Sequence, residues 1–253
     1  MKDKNRYLSV LTIGLPIIGG MLSQNILNLI DTAMVGQLGN AALAGAGLGG
    51  FIFFMATAFL QGLSTGVQTI SARRVGEGKK EEALDILNHG IYIAFTLGVP
   101  LTILLYIFTE DLFPLFNNSQ EVIEQGVLYL KTRMTSVFAI ALMFCFRGYW
   151  SAIKETRFYF YTIVFTHIIN IILNYLLIFG NFGFPKLGSK GAGIASATAS
   201  ILGVGLYFII GYLKLDRNKF MNFKINKAQI LNIMNLSFPS AIQPFSFATG
   251  LTI

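Results

Sequence analysis

QNILNLIDTAMVGQLG, residues 24–39, lies inside an apolar run that begins near Leu8. It carries Gln24, Asn25, Asn28, Asp31 and Thr32, which at about 100° per residue share roughly one third of a helix surface. Lipid-compatible side chains fill the remainder. A carboxylate at membrane depth costs about 2.5–3.5 kcal/mol on insertion scales, so one aligned with other polar groups marks a functional site by default. Asp31 organises this stretch, and that reading requires the run to be a membrane span.

Composition supports the requirement. Hydrophobic residues make up 54% of the chain and charged residues only 12%, too little charge to cover a soluble domain, which implies a polytopic membrane protein. A single cysteine, Cys145, excludes an internal disulfide and any multi-cysteine metal site. The apolar run from Leu8 to Ile30 exceeds the about 7–15 residues of a cleaved signal peptide, so it reads as a retained first span.

Working outward, long apolar stretches recur at 8–35, 43–70, 86–109, 127–147, 158–180 and 192–213. At about 20 residues or more, each can cross a bilayer. The fold class is an all-α membrane protein: residues 1–213 form a six-helix lobe, 214–227 a cytoplasmic linker, and 228–253 the start of a seventh helix. That last stretch is still apolar at Ile253, so the expectation is an N-terminal portion of a longer, two-lobed 6+6 protein. Pro16 opens the first span and Pro239 the seventh, consistent with halves related by an axis along the membrane normal.

Lys and Arg set the orientation. The N-terminus and the second, fourth and sixth loops carry fifteen of them, Arg147 being assigned to the fourth loop, against two in the opposite loops. Lys131 and Arg133, near the start of the fourth span, are left out of both counts. The N-terminus and even-numbered loops are therefore expected in the cytoplasm. The net charge of +7 is topological, so no nucleic-acid partner is expected; the lipid bilayer is.

Two further spans carry polar stripes. Gln61, Ser64, Thr65, Gln68 and Thr69 share a face of the second, and His167, Asn170 and Asn174 a face of the fifth. Three such stripes fit a water-accessible cavity, with Asn28, Gln61, Gln68 and His167 lining it. Taken one at a time, the same amides could simply bond neighbouring helices. His89, at a cytoplasmic helix start, has no such company. Gly62-Leu63-Ser64-Thr65-Gly66 matches the nucleophile-elbow pattern and, with His167, allows an intramembrane serine protease. The elbow needs a sharp turn, however, and the same glycines form Gly-xxx-Gly, a close-packing motif of membrane helices. No metal or cofactor motif is present.

Taken together, five motifs resemble the multidrug and toxic compound extrusion (MATE) transporters. They are Asp31 to Gly39 followed by Ala42-Leu43-Ala44; Gly66 to Thr69 with Ala72 to Gly78; Phe146-Arg147-Gly148-Tyr149 with Thr156-Arg157; Asn170 and Asn174 through to Gly180; and Gly191 to Ser196. The resemblance implies an inner-membrane antiporter that exports organic cations in exchange for H⁺ or Na⁺, not an enzyme. It also implies a coupling site of Asp31, Gln24, Asn170, Asn174 and Ser196. Asn174 stands where the family commonly has a second acid, and one carboxylate suits a proton better than a hard cation. Amide donors from Gln24, Asn28 and Asn170 would oppose the effect of burial on the charged form of Asp31, and Pro16 would serve as a hinge. Half of such a protein is expected to need its C-terminal lobe for transport. The alternative within the wider superfamily, a flippase for lipid-linked precursors, would require a more cationic cavity than one acid among neutral stripes.

Overall fold

The computed structural model describes residues 2–250. Its long elements are α1 (Lys2–Gly36), α2 (Asn40–Gly76), α3 (Lys80–Leu112), α4 (Gln120–Met134), α5 (Val137–Ala152), α6 (Thr156–Phe179), α7 (Gly188–Lys214) and α8 (Lys227–Gly250). Five of them are long and apolar enough to cross a membrane, and α4 with α5 forms a sixth span bent by 52°. The apolar stretches at 8–35 and 192–213 correspond to α1 and α7. The single span expected at 127–147 is instead this bent pair.

The bend has a local cause. Thr135 Oγ1 donates to the Thr132 carbonyl at 2.7 Å, and Ser136 Oγ to the Arg133 carbonyl at 2.8 Å. Such hydroxyl bonds to the preceding turn compete with the helix ladder. The Phe138 N–H at the start of α5 is then taken by Thr102 Oγ1 of α3 at 3.0 Å, so the break leaves that amide satisfied.

Apolar packing is tight because glycines let backbones approach, as association between membrane helices requires. A Cβ on Gly62 would lie 2.2 Å from the Ser237 carbonyl oxygen of α8, and one on Gly66 would lie 2.3 Å from Ser237 Oγ. At Gly148 of α5 it would meet the Ser64 carbonyl at 2.3 Å. The core between these seams holds Trp150, Phe146 and Tyr207, the last two stacked at 5.0 Å.

The first and fifth spans, α1 and α6, run parallel and in register. Thr156 Oγ1 donates to the Ile13 carbonyl at 3.1 Å near one end, and Asn174 meets Asp31 near the other, both pairs separated by 143 residues. Helix α1 is continuous through Pro16. Neither Pro16 nor Pro239 opens its helix, since α1 begins at Lys2 and α8 at Lys227; Ile253, at the end of the seventh apolar stretch, lies outside the described residues.

Residues 215–226, between α7 and α8, cross the start of α3. Asn88 Nδ2 donates to the Lys219 carbonyl at 2.7 Å, and its Oδ1 accepts the Met221 N–H at 3.0 Å. His89 Nε2 accepts the Asn226 N–H at 3.0 Å, which leaves Nδ1–H to donate to the Asp85 carbonyl at 2.6 Å. His89 thus has a structural partner in the linker. In the turn between α2 and α3, hydrogen bonds from Arg74 and Arg73 hold the Glu77 carboxyl below its ordinary range.

Candidate functional site

A cavity of about 800 Å³ opens between α1, α2, α4, α5, α6 and α7. Ligand pockets of about 300–1,000 Å³ hold drug-sized molecules. Phe53, Phe54, Phe144 and Met143 give it apolar walls. Gln24, Asn25, Asn28, Asp31 and Thr32 enter it from α1, as the helical spacing of the opening stretch requires.

Asp31 is tied to α6 and, through it, to α7. Asn174 Nδ2 donates to Asp31 Oδ1 at 2.7 Å and to Asn170 Oδ1 at 2.9 Å. Asn170 Nδ2 lies 2.9 Å from Ser196 Oγ. With the Asn170 amide turned over, its nitrogen donates to Asp31 Oδ1 at 3.0 Å while its oxygen accepts from Ser196 Oγ at 2.9 Å. Amide orientation is chosen by the hydrogen-bond network; this second arrangement gives the carboxylate two donors but replaces the Asn174–Asn170 bond with two amide nitrogens 2.9 Å apart. Asn170 and Asn174 are buried, at 3% and 1% exposure. Asp31, Asn170, Asn174 and Ser196 therefore form one connected chain.

Gln24 does not join it. Seven residues, or two turns, separate it from Asp31, a rise of about 10 Å. At its own level it faces His167, with His167 Nε2 3.2 Å from Gln24 Oε1 and His167 Nδ1 2.6 Å from Ser23 Oγ. Gln24 Nε2 donates to Asn28 Oδ1 at 3.1 Å. Two expectations are corrected. Gln24 and Asn28 bond each other rather than Asp31, and Asn174 supplies the donor in their place. His167 is buried between α1 and α6 and bonded at both ring nitrogens, rather than lining the cavity. Of the expected lining residues, Asn28 and Gln61 reach the main cavity; Gln68 reaches a smaller one beside it.

The charge of the cavity also differs from the expectation of one acid among neutral stripes. Arg133 and Arg147 both line it. Arg133 acts electrostatically on Asp31, yet among the described residues no ion pair within 4.0 Å joins them. Its guanidinium lies over the Phe53 ring at 4.5 Å, and its Nε has no hydrogen-bond partner among the described residues. Arg147 lies within α5, not in the fourth loop, and its guanidinium sits 5.2 Å from the Tyr159 ring centre. The available signal was its setting, VFAIALMFCF before it and GYW after it, which is a span rather than a loop. Among the described residues no group of three or more His, Cys, Asp or Glu is placed to hold a metal. Ser64 lies inside the regular helix α2, without the strained turn a nucleophile elbow needs.

A lobe of membrane-length helices around a charged chamber defines a polytopic membrane protein, and comparison with known proteins supports this class. The MatE family model matches residues 16–176, and the chain belongs to that family. It is 28% identical over 250 residues to a probable multidrug resistance protein, NorM, of Thermotoga maritima, covering 96% of this chain and 52% of that relative. The NorM of Bacillus anthracis is 32% identical over 206 residues, covering 78% and 44%. The chain thus spans about half the length of these curated relatives. A solved structure described as an outward-facing conformation of a multidrug resistance MATE family transporter of the MOP superfamily shares the fold. It has a TM-score of 0.84 and 24% identity, covering 96% of this chain and 54% of that one. A Pyrococcus furiosus MOP superfamily transporter, described as having a binding pocket of reverse polarity, matches with the same TM-score and identity. The chain is a multi-pass membrane protein with the half-length MATE transporter fold, and its relatives are transporters, not enzymes, which removes the protease reading.

Proposed function

We propose that this chain is the coupling lobe of a secondary exporter of amphiphilic organic compounds, organic cations among them, driven by proton entry and completed by a second six-span lobe. One observation carries the reading: among the described residues Asp31 is the single carboxylate on the main cavity wall, and it is bonded to the buried Asn174 amide behind it. Facing outward, Asp31 takes a proton, loses its charge and releases an organic cation. Facing inward, it gives up the proton and becomes a counter-ion again. Coupling follows because the proton-bound and drug-bound forms favour different conformations.

A proton is preferred over Na⁺ because a hard cation needs several oxygens, whereas Asn174 turns a nitrogen to Asp31. The neighbouring Arg133 also disfavours a second cation there. The proposed setting is the inner membrane with the N-terminus in the cytoplasm, supported by an excess of fourteen Lys and Arg to two at the loops and helix ends on that side once Arg147 is assigned to α5. Arg133 and Arg147 are the observation in favour of a flippase for lipid-linked precursors, but the compared relatives bear multidrug names.

The test is ethidium efflux with simultaneous proton release in everted vesicles containing both lobes. Asp31→Asn is expected to abolish coupled exchange. Wild-type ethidium and proton fluxes in that variant would refute the proposal.

A further inference from the structure

Beside the main cavity, and continuous with it through Gln61, Phe144 and Arg147, lies a second pocket of about 190 Å³. Its polar wall consists of Gln61, Ser64, Thr65 and Gln68 from α2, with Arg147 and Ser151 from α5. The close approach of Gly148 to the Ser64 carbonyl brings the two helices together here.

The polar wall is unusual in its lack of hydrogen-bond and ion-pair partners, the Arg147 guanidinium facing the Tyr159 ring at 5.2 Å instead. Thr57, Thr102 and Thr109 each bond a carbonyl one turn back in their own helix. Among the described residues, none of the six wall side chains makes a side-chain hydrogen bond or ion pair, and no carboxylate comes within 4.0 Å of Arg147. A guanidinium within a membrane span without an acid partner is costly and marks a site. Asp31 does not meet this need, since its partners are on α6 and the guanidinium acting on it is Arg133.

The chemistry of the wall selects its ligand. A guanidinium presents a planar fork of donors that matches carboxylate, sulfonate or phosphate oxygens, and hydroxyls and amides add further donors. The volume corresponds to roughly six waters at about 30 Å³ each, room for one such headgroup but not for a drug. The apolar chamber lined by Phe53, Phe54 and Met143 begins where the pocket ends.

We propose that Arg147 and the polar face of α2 form a headgroup subsite for amphiphiles bearing an oxyanion, with the apolar body of the ligand in the Phe-lined chamber. The inference extends the export reading by adding an anion-selecting end to a cavity whose other end carries Asp31. It rests on that reading for its role in transport, but its test is equilibrium binding and involves neither proton flux nor Asp31. Failure of headgroup selection with coupled exchange intact removes this inference alone. Failure of coupling with selection intact removes only the export reading.

The experiment uses the chain in phosphatidylcholine nanodiscs and two probes of equal body, pyrenebutanoate and pyrenebutyltrimethylammonium. Trp150, the one tryptophan of the chain, lies on α5 close to Arg147 and reports binding by energy transfer to pyrene. The carboxylate probe is expected to bind saturably and about tenfold tighter than the ammonium. Arg147→Gln should remove that preference and Arg147→Lys should keep part of it. If Arg147→Gln does not fold, Thr65→Val combined with Gln68→Leu keeps the charge and should still weaken the carboxylate several-fold. Competition by inorganic phosphate would support a site for oxyanions from water, and competition by added phosphatidylglycerol would support one for lipid headgroups. Equal or tighter binding of the ammonium, or no loss in the variants that fold, would overturn the assignment.

Discussion

Asn174, on α6, donates a 2.7 Å hydrogen bond to Asp31, on the parallel helix α1, from a position 143 residues further along the chain. Gln24 and His167 have the same separation, as do Ile13 and Thr156. The two helices therefore form a ladder with Asp31 on its last rung. A carboxylate held this way has one oxygen tied to an amide, and the residue still opens on the cavity.

Asn174→Asp would place a second carboxylate against Asp31. Two acids with the Ser196 hydroxyl nearby make a site with the oxygens a hard cation needs. Sodium chloride is expected to raise the melting temperature of this variant above its value in choline chloride, and to leave the unsubstituted chain unchanged. Equal melting of the variant in both salts would contradict this.

The seam between α2 and α8 tolerates no side chain at Gly62, because the obstruction is the backbone carbonyl of Ser237. Gly62→Ala is expected to destabilise by about 1–3 kcal/mol, the usual cost of overpacking. Gly205→Ala, where an added Cβ meets nothing within 4 Å, should be neutral or stabilising by up to about 1 kcal/mol through helix propensity. Thermal melts in detergent distinguish the two.

At the bend between α4 and α5, Thr102→Val leaves the Phe138 N–H without its acceptor. An unpaired buried donor costs about 1–3 kcal/mol. Thr102→Ser keeps the hydroxyl and should retain most of the stability in the same melts. Equal losses for both variants would show that the methyl group, not the hydrogen bond, matters there.

The spans were legible in the sequence because the period and length of an apolar run survive any tertiary arrangement. Asp31 was legible because its polar neighbours fall on one helix face. The bend at Thr135 and Ser136 was not, since it depends on hydroxyls turning back to carbonyls and on Thr102 from another helix. The partners of Gln24 were not legible from helical angle, which carries no rise: Gln24 shares the face of Asp31 but sits two turns away, opposite His167. Arg147 precedes a basic loop, so charge alone groups it with that loop, whereas the apolar residues on both sides place it in α5, where it supplies half of the positive charge on the cavity wall.

Linker residues 215–226 are anchored by Asn88 and His89. His89→Leu removes the acceptor for the Asn226 N–H, whereas His89→Gln retains one. Limited trypsin digestion should cleave at Lys219 and Lys224 several-fold faster in His89→Leu than in His89→Gln. Equal rates would show that the bond does not hold the segment.

The most direct test of the central claim is coupled ethidium/H⁺ exchange by the Asp31→Asn variant in vesicles containing both lobes. The predicted result is protein at normal abundance with neither proton release nor ethidium accumulation driven by the proton gradient. Undiminished exchange at the unsubstituted stoichiometry would contradict the assignment of Asp31 as the proton-carrying residue.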